Sequence, residues 1–205
     1  MHESEQSAFS TLLKKCEFRE AILDIPCGTG RMLEIIQPFE FDRVFAADYS
    51  DEMLASCSSN LNSGDVTLSK QDIYNTTYEA SSFSAILCSR FLFHCDDQER
   101  LFQEFNRLIA PDGYLLFDTL TWSPRTWTKL FSSQLGGQIY TNTPSSIAKL
   151  AEKNGFVVLQ SLTILAFPSF VYNFIPRFFI RPIRFLESIW PNSWKTKRVW
   201  VLQKQ

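Results

Sequence analysis

The chain has 205 residues, 45% of them hydrophobic and 20% charged, enough to bury the core of one domain without covalent staples. Its formal net charge of −2 supplies no basic field to hold a nucleic acid, so no nucleic-acid partner is expected. Five irregularly spaced cysteines, no Cys-x-x-Cys pair and only two histidines argue against a zinc site or a disulfide framework. No metal is expected, and reduced cysteines point to the cytoplasm.

Met1 to Glu5 is polar and acidic, without the basic-then-apolar order of a secretion signal. Phe9, Leu12, Leu13 and Cys16 recur at helical spacing and predict a leading helix over 7–16. Ala21 to Ile25 is a compact apolar run ending at a Pro/Gly loop, which reads as a buried strand. Met32, Ile35 and Ile36 predict a helix from Arg31 to Gln37, stopped by Pro38. Arg43 to Ala47 is a second strand closed by Asp48, and Ser50 caps a helix carrying Met53, Leu54 and Cys57. A turn over 62–65 precedes a third strand, Val66 to Lys70, and Phe83 to Cys88 is a fourth.

Asp96 with Glu99 matches a capping box, followed by a helix with Leu101, Phe102, Phe105, Leu108 and Ile109 on one face. Pro111-Asp112-Gly113 reads as a turn into a fifth strand, Tyr114 to Phe117. Thr143 opens a helix that Asn154-Gly155 ends. A sixth strand begins at Phe156, with Phe167 as its furthest end, and Arg198 to Leu202 is the last. Gly155 to Pro176 carries no charge, but Pro168 and several polar residues interrupt it, so it is not read as a membrane span. Strand and helix alternate, which predicts a parallel sheet with helices on both faces and a site at the strands' carboxyl ends.

The loop Asp24-Ile25-Pro26-Cys27-Gly28-Thr29-Gly30 joins the first strand to the first helix. Glycines there let the backbone approach a ligand closely. A phosphate loop is excluded because no Lys-Ser/Thr pair follows Gly30. A dinucleotide loop fits badly, since its third glycine would fall at Leu33 and Asp24 would repel a pyrophosphate.

Ile22 to Arg31 instead resembles the first motif of class I S-adenosylmethionine-dependent methyltransferases. Val44 to Leu54, Gln71-Asp72-Ile73, Ile86 to His94 and Arg107 to Leu115 resemble four further segments of that family, in order. Pro26 stands where the family usually has its first glycine. The resemblance covers roughly residues 20–120. It implies a Rossmann-like fold with a mostly parallel seven-stranded sheet, a single domain over 1–205, and S-adenosyl-L-methionine as cofactor. Within that domain, 1–20 is the leading helix and 168–197 an insertion before the last strand.

The same resemblance implies the cofactor-binding residues. Asp24, Cys27, Gly28 and Gly30 line the amino-acid end, and Asp48 accepts the ribose hydroxyls. Tyr49 and Met53 flank the adenine, Asp72 meets its amino group in a segment with Ile73, and Ser89 lies in the segment lining the gap towards the acceptor. Packing is the alternative for Tyr49 and Met53, and a turn cap is the alternative for Asp72. His94 is the one candidate general base, with a structural role beside Asp96 as the alternative. Arg90 and Phe93 are the candidate acceptor-binding residues; for Arg90 a helix-end ion pair is the alternative.

No Asn-Pro-Pro-Tyr-like run follows the fourth strand. A small-molecule or lipid-like acceptor is therefore expected, methylated at oxygen or carbon. Between Phe167 and Trp190, Arg177, Arg181 and Arg184 share one helical face and large apolar residues share another. Residues 170–190 are read as a lid or packed helix, or as a membrane-surface contact, which makes the protein peripheral at a membrane. The rival reading from another class is a non-catalytic binding or membrane-associated protein that keeps the fold. A nicotinamide oxidoreductase is disfavoured by Asp24 and Leu33.

Overall fold

The computed structural model describes residues 2–61, 65–122, 138–164 and 195–205. The turn expected over 62–65 and the aromatic, arginine-rich segment of 168–197 lie outside these residues, apart from Asp65 and 195–197.

Seven strands form one sheet: β1 (Ala21–Asp24), β2 (Arg43–Asp48), β3 (Val66–Lys70), β4 (Phe83–Cys88), β5 (Ile109–Leu120), β6 (Phe156–Ile164) and β7 (Lys197–Lys204). Their order is β3-β2-β1-β4-β5-β7-β6. The pairings among β1 to β5 are parallel. β7 runs antiparallel between β5 and β6. This is the mostly parallel, seven-stranded sheet expected from the sequence. The strand order reverses at β1, where β2 lies on one side and β4 on the other. A crevice opens there at the carboxyl ends of the strands.

Every residue of β1 and β4 is buried, as central parallel strands covered on both faces must be. Side-chain parity sorts the core into two layers. Leu23, Ile86, Cys88, Leu115, Phe117 and Trp200 pack under α4 (Gln98–Leu108) and α5 (Pro144–Lys153). Ile22, Ala46, Leu87, Leu116, Val199 and Val201 pack under α1 (His2–Leu13), α2 (Leu33–Ile36) and α3 (Asp51–Asn60). By the same parity Asp24, Asp48, Ser89, Asp118 and Lys197 all fall on the α1 side of the crevice. Among the described residues, no helix is long and apolar enough to cross a membrane.

Several element boundaries correct the sequence reading. The leading helix starts at His2 and ends at Leu13, not 7–16, and Cys16 follows in a turn with its N–H on the Leu13 carbonyl at 3.0 Å. Glu3 and Glu5 in its first turn complement the positive helix end. The helix expected over Arg31 to Gln37 is a single turn, α2, followed by a 3-10 turn over Gln37–Phe39. Asp97, not Asp96, caps α4, accepting the Arg100 N–H at 3.1 Å. Glu99 pairs with Lys153 at 3.0 Å instead of closing a capping box.

Pro111-Asp112-Gly113 is not a free turn but an irregularity within β5. The pairing with β4 jumps from Phe83↔Ile109 to Ala85↔Tyr114, and Asp112 takes φ 61°. Ser50 caps α3 as expected, its hydroxyl accepting the Met53 N–H at 3.3 Å. Thr143 likewise caps α5.

Phe102 on α4 is fully buried, its ring centroid 5.5 Å from Phe117 and 6.1 Å from Phe156. Removing it leaves a cavity between helix and sheet. Phe102→Ala is expected to cost about 3–5 kcal/mol, read as a lower urea midpoint with the slope unchanged. A cost below about 1 kcal/mol, that of a surface change, would show this layer is not the core.

Candidate active site

The loop after β1 carries the first part of the site. Asp24 is fully buried, and neither of its carboxylate oxygens has a hydrogen-bond partner among the described residues. Burial pushes its pKa up to about 8, opposed by the Arg31 guanidinium and reinforced by Asp48. The Ile25–Pro26 peptide is cis. Cys27 is buried and its N–H donates to the Ala47 carbonyl at 2.8 Å, which ties the loop to β2. Burial pushes its thiol well up, as it does the neighbouring Cys57 thiol, so neither is a ready nucleophile.

The two glycines of the loop differ. Gly28 takes φ +55°, and a Cβ there would meet nothing within 4 Å. It faces open space, as a close backbone approach to a ligand requires. Gly30 takes φ +83°, and its Cβ would lie 2.8 Å from the Cys57 sulfur. Close packing against α3 requires this second glycine.

Asp48, at the end of β2, orders the next part. Its Oδ2 accepts the Gly28 N–H and its Oδ1 the Ser50 N–H, both at 2.9 Å. One carboxylate thus fixes both the glycine loop and the start of α3. Each oxygen keeps a further lone pair for a ligand hydroxyl. Beyond it Tyr49 is 72% exposed and Met53 38% exposed. The Lys70 ammonium lies 5.8 Å from the Tyr49 ring centroid. Asp72 is exposed and caps a turn, accepting the Tyr74 N–H at 2.9 Å, while Ile73 is buried beside it.

Past β4, Ser89 is buried and accepts from Arg31 Nη2 at 2.8 Å. Arg90 takes φ 60°, donates its N–H to Asp118 at 2.6 Å and places its guanidinium on Glu5, Nη2 to Oε2 at 2.6 Å. Phe93 is half-buried with the Lys197 ammonium 5.4 Å from its ring centroid. His94 is exposed in a 3-10 turn, its ring 4.7 Å from that of Phe93.

The sequence reading missed Glu5, Arg31, Asp118 and Lys197, which surround Arg90. Glu5 is buried and pairs with Arg31 at 2.9 Å, with Arg90 and with Lys197; Lys197 also pairs with Asp118. Burial alone would raise the Glu5 pKa, but Lys197 and then Arg90 overcome it and hold it down at about 2. A signal existed: Glu5 lies one turn before Phe9, on the apolar stripe of its own helix.

Residues 23–117 match the family model described as a methyltransferase domain. Over this stretch the chain is similar to methyltransferase domains. It is 26% identical over 164 residues to the biotin biosynthesis bifunctional protein of Saccharophagus degradans, covering 71% of this chain and 28% of that protein. It is 28% identical over 154 residues to a ubiquinone biosynthesis O-methyltransferase of Coxiella burnetii, covering 68% of this chain and 64% of that one. The chain thus spans less than two thirds of the length of either relative. The fold superposes on an S-adenosylmethionine-dependent methyltransferase from Mesorhizobium loti with a TM-score of 0.69 and 17% identity, covering 95% and 96% of the two chains.

The cofactor that the resemblance to class I methyltransferases implies is S-adenosylmethionine. The residues present fit it. A buried carboxylate without a partner suits the cationic methionyl end, the open side of Gly28 suits close backbone passage, and Asp48 retains acceptor capacity.

The Asp24 titration has a consequence for stability. A carboxyl whose folded pKa is raised stabilises the folded state fully at pH values below the unfolded pKa. That contribution is lost as pH rises towards the folded pKa. For Asp24 the window runs from 3.8 to about 8. Asn at this position carries no such titration. Asp24→Asn is therefore expected to gain stability over the natural chain between about pH 4 and 8, by at most about 1.4 kcal/mol per pH unit. Urea unfolding at several pH values reads this directly, and parallel pH profiles would contradict it.

Proposed function

We propose that this chain transfers the methyl group of S-adenosylmethionine to an oxygen or carbon of a small-molecule or lipid-linked acceptor. The observation that carries the reading is the unpartnered, fully buried Asp24 carboxylate beside the open face of Gly28. The donor brings a methyl group already activated on a sulfonium. The chain's own task is to align it with the acceptor and exclude water.

In this reading Asp24 offsets the cationic methionyl end, with Cys27, Gly28 and Gly30 shaping the loop around it. Asp48 accepts from the ribose hydroxyls while holding the loop through the Gly28 N–H. Tyr49 and Met53, exposed in the structure, flank the adenine with Ile73, and Asp72 accepts from its amino group. Ser89 lines the passage to the acceptor. Arg90 and Phe93 meet the acceptor, and His94 takes its proton where the nucleophile needs a base. Oxygen is favoured as the methylated atom by the Coxiella burnetii relative, named as an O-methyltransferase. The proposal includes a cytoplasmic location, with residues 170–190 reaching a membrane surface, supported by the spacing of arginines and large apolar residues in that stretch of the sequence.

Calorimetric titration with S-adenosylmethionine and S-adenosylhomocysteine tests the proposal. The natural chain is expected to bind both. Asp48→Ala removes the charge-assisted hydrogen bonds from the Gly28 and Ser50 N–H groups and those to the ribose, and is expected to weaken binding by about 10- to 150-fold. A folded natural chain that binds neither compound would overturn the proposal.

A further inference from the structure

On the α1 side of the crevice, among the described residues, three cations face two carboxylates. Arg31, Arg90 and Lys197 surround Glu5, and Asp118 takes Lys197 and the Arg90 N–H. Asp118 is completely buried, Glu5 is 1% exposed and Lys197 6%. The third carboxyl nearby, Asp24, adds no certain countercharge, because burial favours its neutral form. Buried Lys197 calls for an anionic partner, and Arg31 and Arg90, with side chains 22% and 36% exposed, pair with the same carboxylate.

Glu5 supplies much of that partner. The Arg90 guanidinium grips it through Nε, at 3.0 and 3.2 Å, and through Nη2 at 2.6 Å. Arg31 adds Nη1 at 2.9 Å and Lys197 its ammonium. A fork of guanidinium nitrogens on both oxygens is how an arginine binds a carboxylate ligand. The Phe93 ring lies under Lys197, giving the same place an aromatic wall. Arg31 links this place to the cofactor side, since its other terminal nitrogen donates to Ser89.

We propose that Arg90 and Lys197 form the anion-recognising end of the acceptor site, that the acceptor carries a carboxylate, and that Glu5 occupies this site from α1 until the acceptor displaces it. The proposal rests on the methyltransferase reading for its place beside the methyl donor. A carboxylate at this position has two sources, the acceptor or the cofactor's own methionyl end, and the test separates them.

The probe is benzoate, with benzamide as the neutral match, titrated into the full chain saturated with S-adenosylhomocysteine at constant ionic strength. An internal carboxylate that occupies the site lowers apparent affinity by the fraction of time it is bound. Glu5→Gln is expected to bind benzoate about tenfold or more tightly than the natural chain. Arg90→Gln added to Glu5→Gln is expected to erase that gain. Benzamide affinity is expected to stay the same in all three. Equal benzoate affinity with and without Glu5→Gln, or a gain that survives Arg90→Gln, would overturn the proposal.

Should Glu5→Gln fail to fold, the natural chain carries the test. It must prefer benzoate over benzamide, and Arg90→Gln alone must abolish the preference. S-adenosylhomocysteine and 5′-methylthioadenosine, which lacks the amino-acid end, assign the source. If Arg90→Gln weakens only the former, the cations serve the cofactor and the acceptor proposal falls. Absence of S-adenosylhomocysteine binding would count against the methyltransferase reading, while benzoate titrated into the ligand-free chain still decides on the anion site.

Discussion

At the end of β1 a carboxylate is held where neither water nor a hydrogen-bond donor among the described residues reaches it. Much of the crevice is arranged around that carboxyl group. The strand order reverses at β1, with β2 on one side and β4 on the other, so the crevice lies at the carboxyl end that Asp24 closes. Cys27 binds back to β2 through its backbone, and Asp48 takes the Gly28 N–H. The loop is thereby tied to β2 and presents its open glycine. An arrangement of this kind is costly to leave unpaired. It is the sort of local strain that a ligand relieves, here one with a positive centre near a pair of hydroxyls.

A second constraint links the leading helix to this crevice. Phe9, Leu12 and Leu13 anchor α1 in the core, while Glu5 on the same stripe meets Arg31, Arg90 and Lys197. The helix therefore does two things at once: it closes one face of the sheet and it neutralises cations that strand ends from β4 and β7 bring together. Removing one member of such a network leaves the others buried without a partner, at a cost of several kcal/mol. This coupling makes α1 part of the site and not merely a cover for the sheet.

Much of the fold was legible because its signals are local. The apolar runs of β1 and β4, the Ser50 and Thr143 caps, and the alternation of strand and helix all rest on neighbours in sequence. What sequence could not supply was set by distant contacts. Asp96 and Asp97 are both competent caps, and only the backbone geometry chooses Asp97. The helix expected over Arg31 to Gln37 is one turn, and Arg31 lies before it with its side chain on Ser89 and Glu5. Gly30 was grouped with Gly28 as a cofactor glycine, yet the sulfur of Cys57, 27 positions on, is what crowds it. The charged network was illegible for the same reason, since Glu5 and Lys197 lie 192 residues apart. Glu5 on an apolar stripe was its one local trace.

In the proposed function Asp24 faces the cationic end of the cofactor. Its ligand-free pKa of about 8 leaves it mostly protonated at pH 7, and a neighbouring positive charge would draw that proton off. Calorimetry of S-adenosylhomocysteine binding at pH 7, in buffers of different ionisation enthalpy, counts the proton. The account predicts release of about one proton per site, lost in Asp24→Asn. Binding with no proton release in the natural chain, or equal release in the variant, would contradict it.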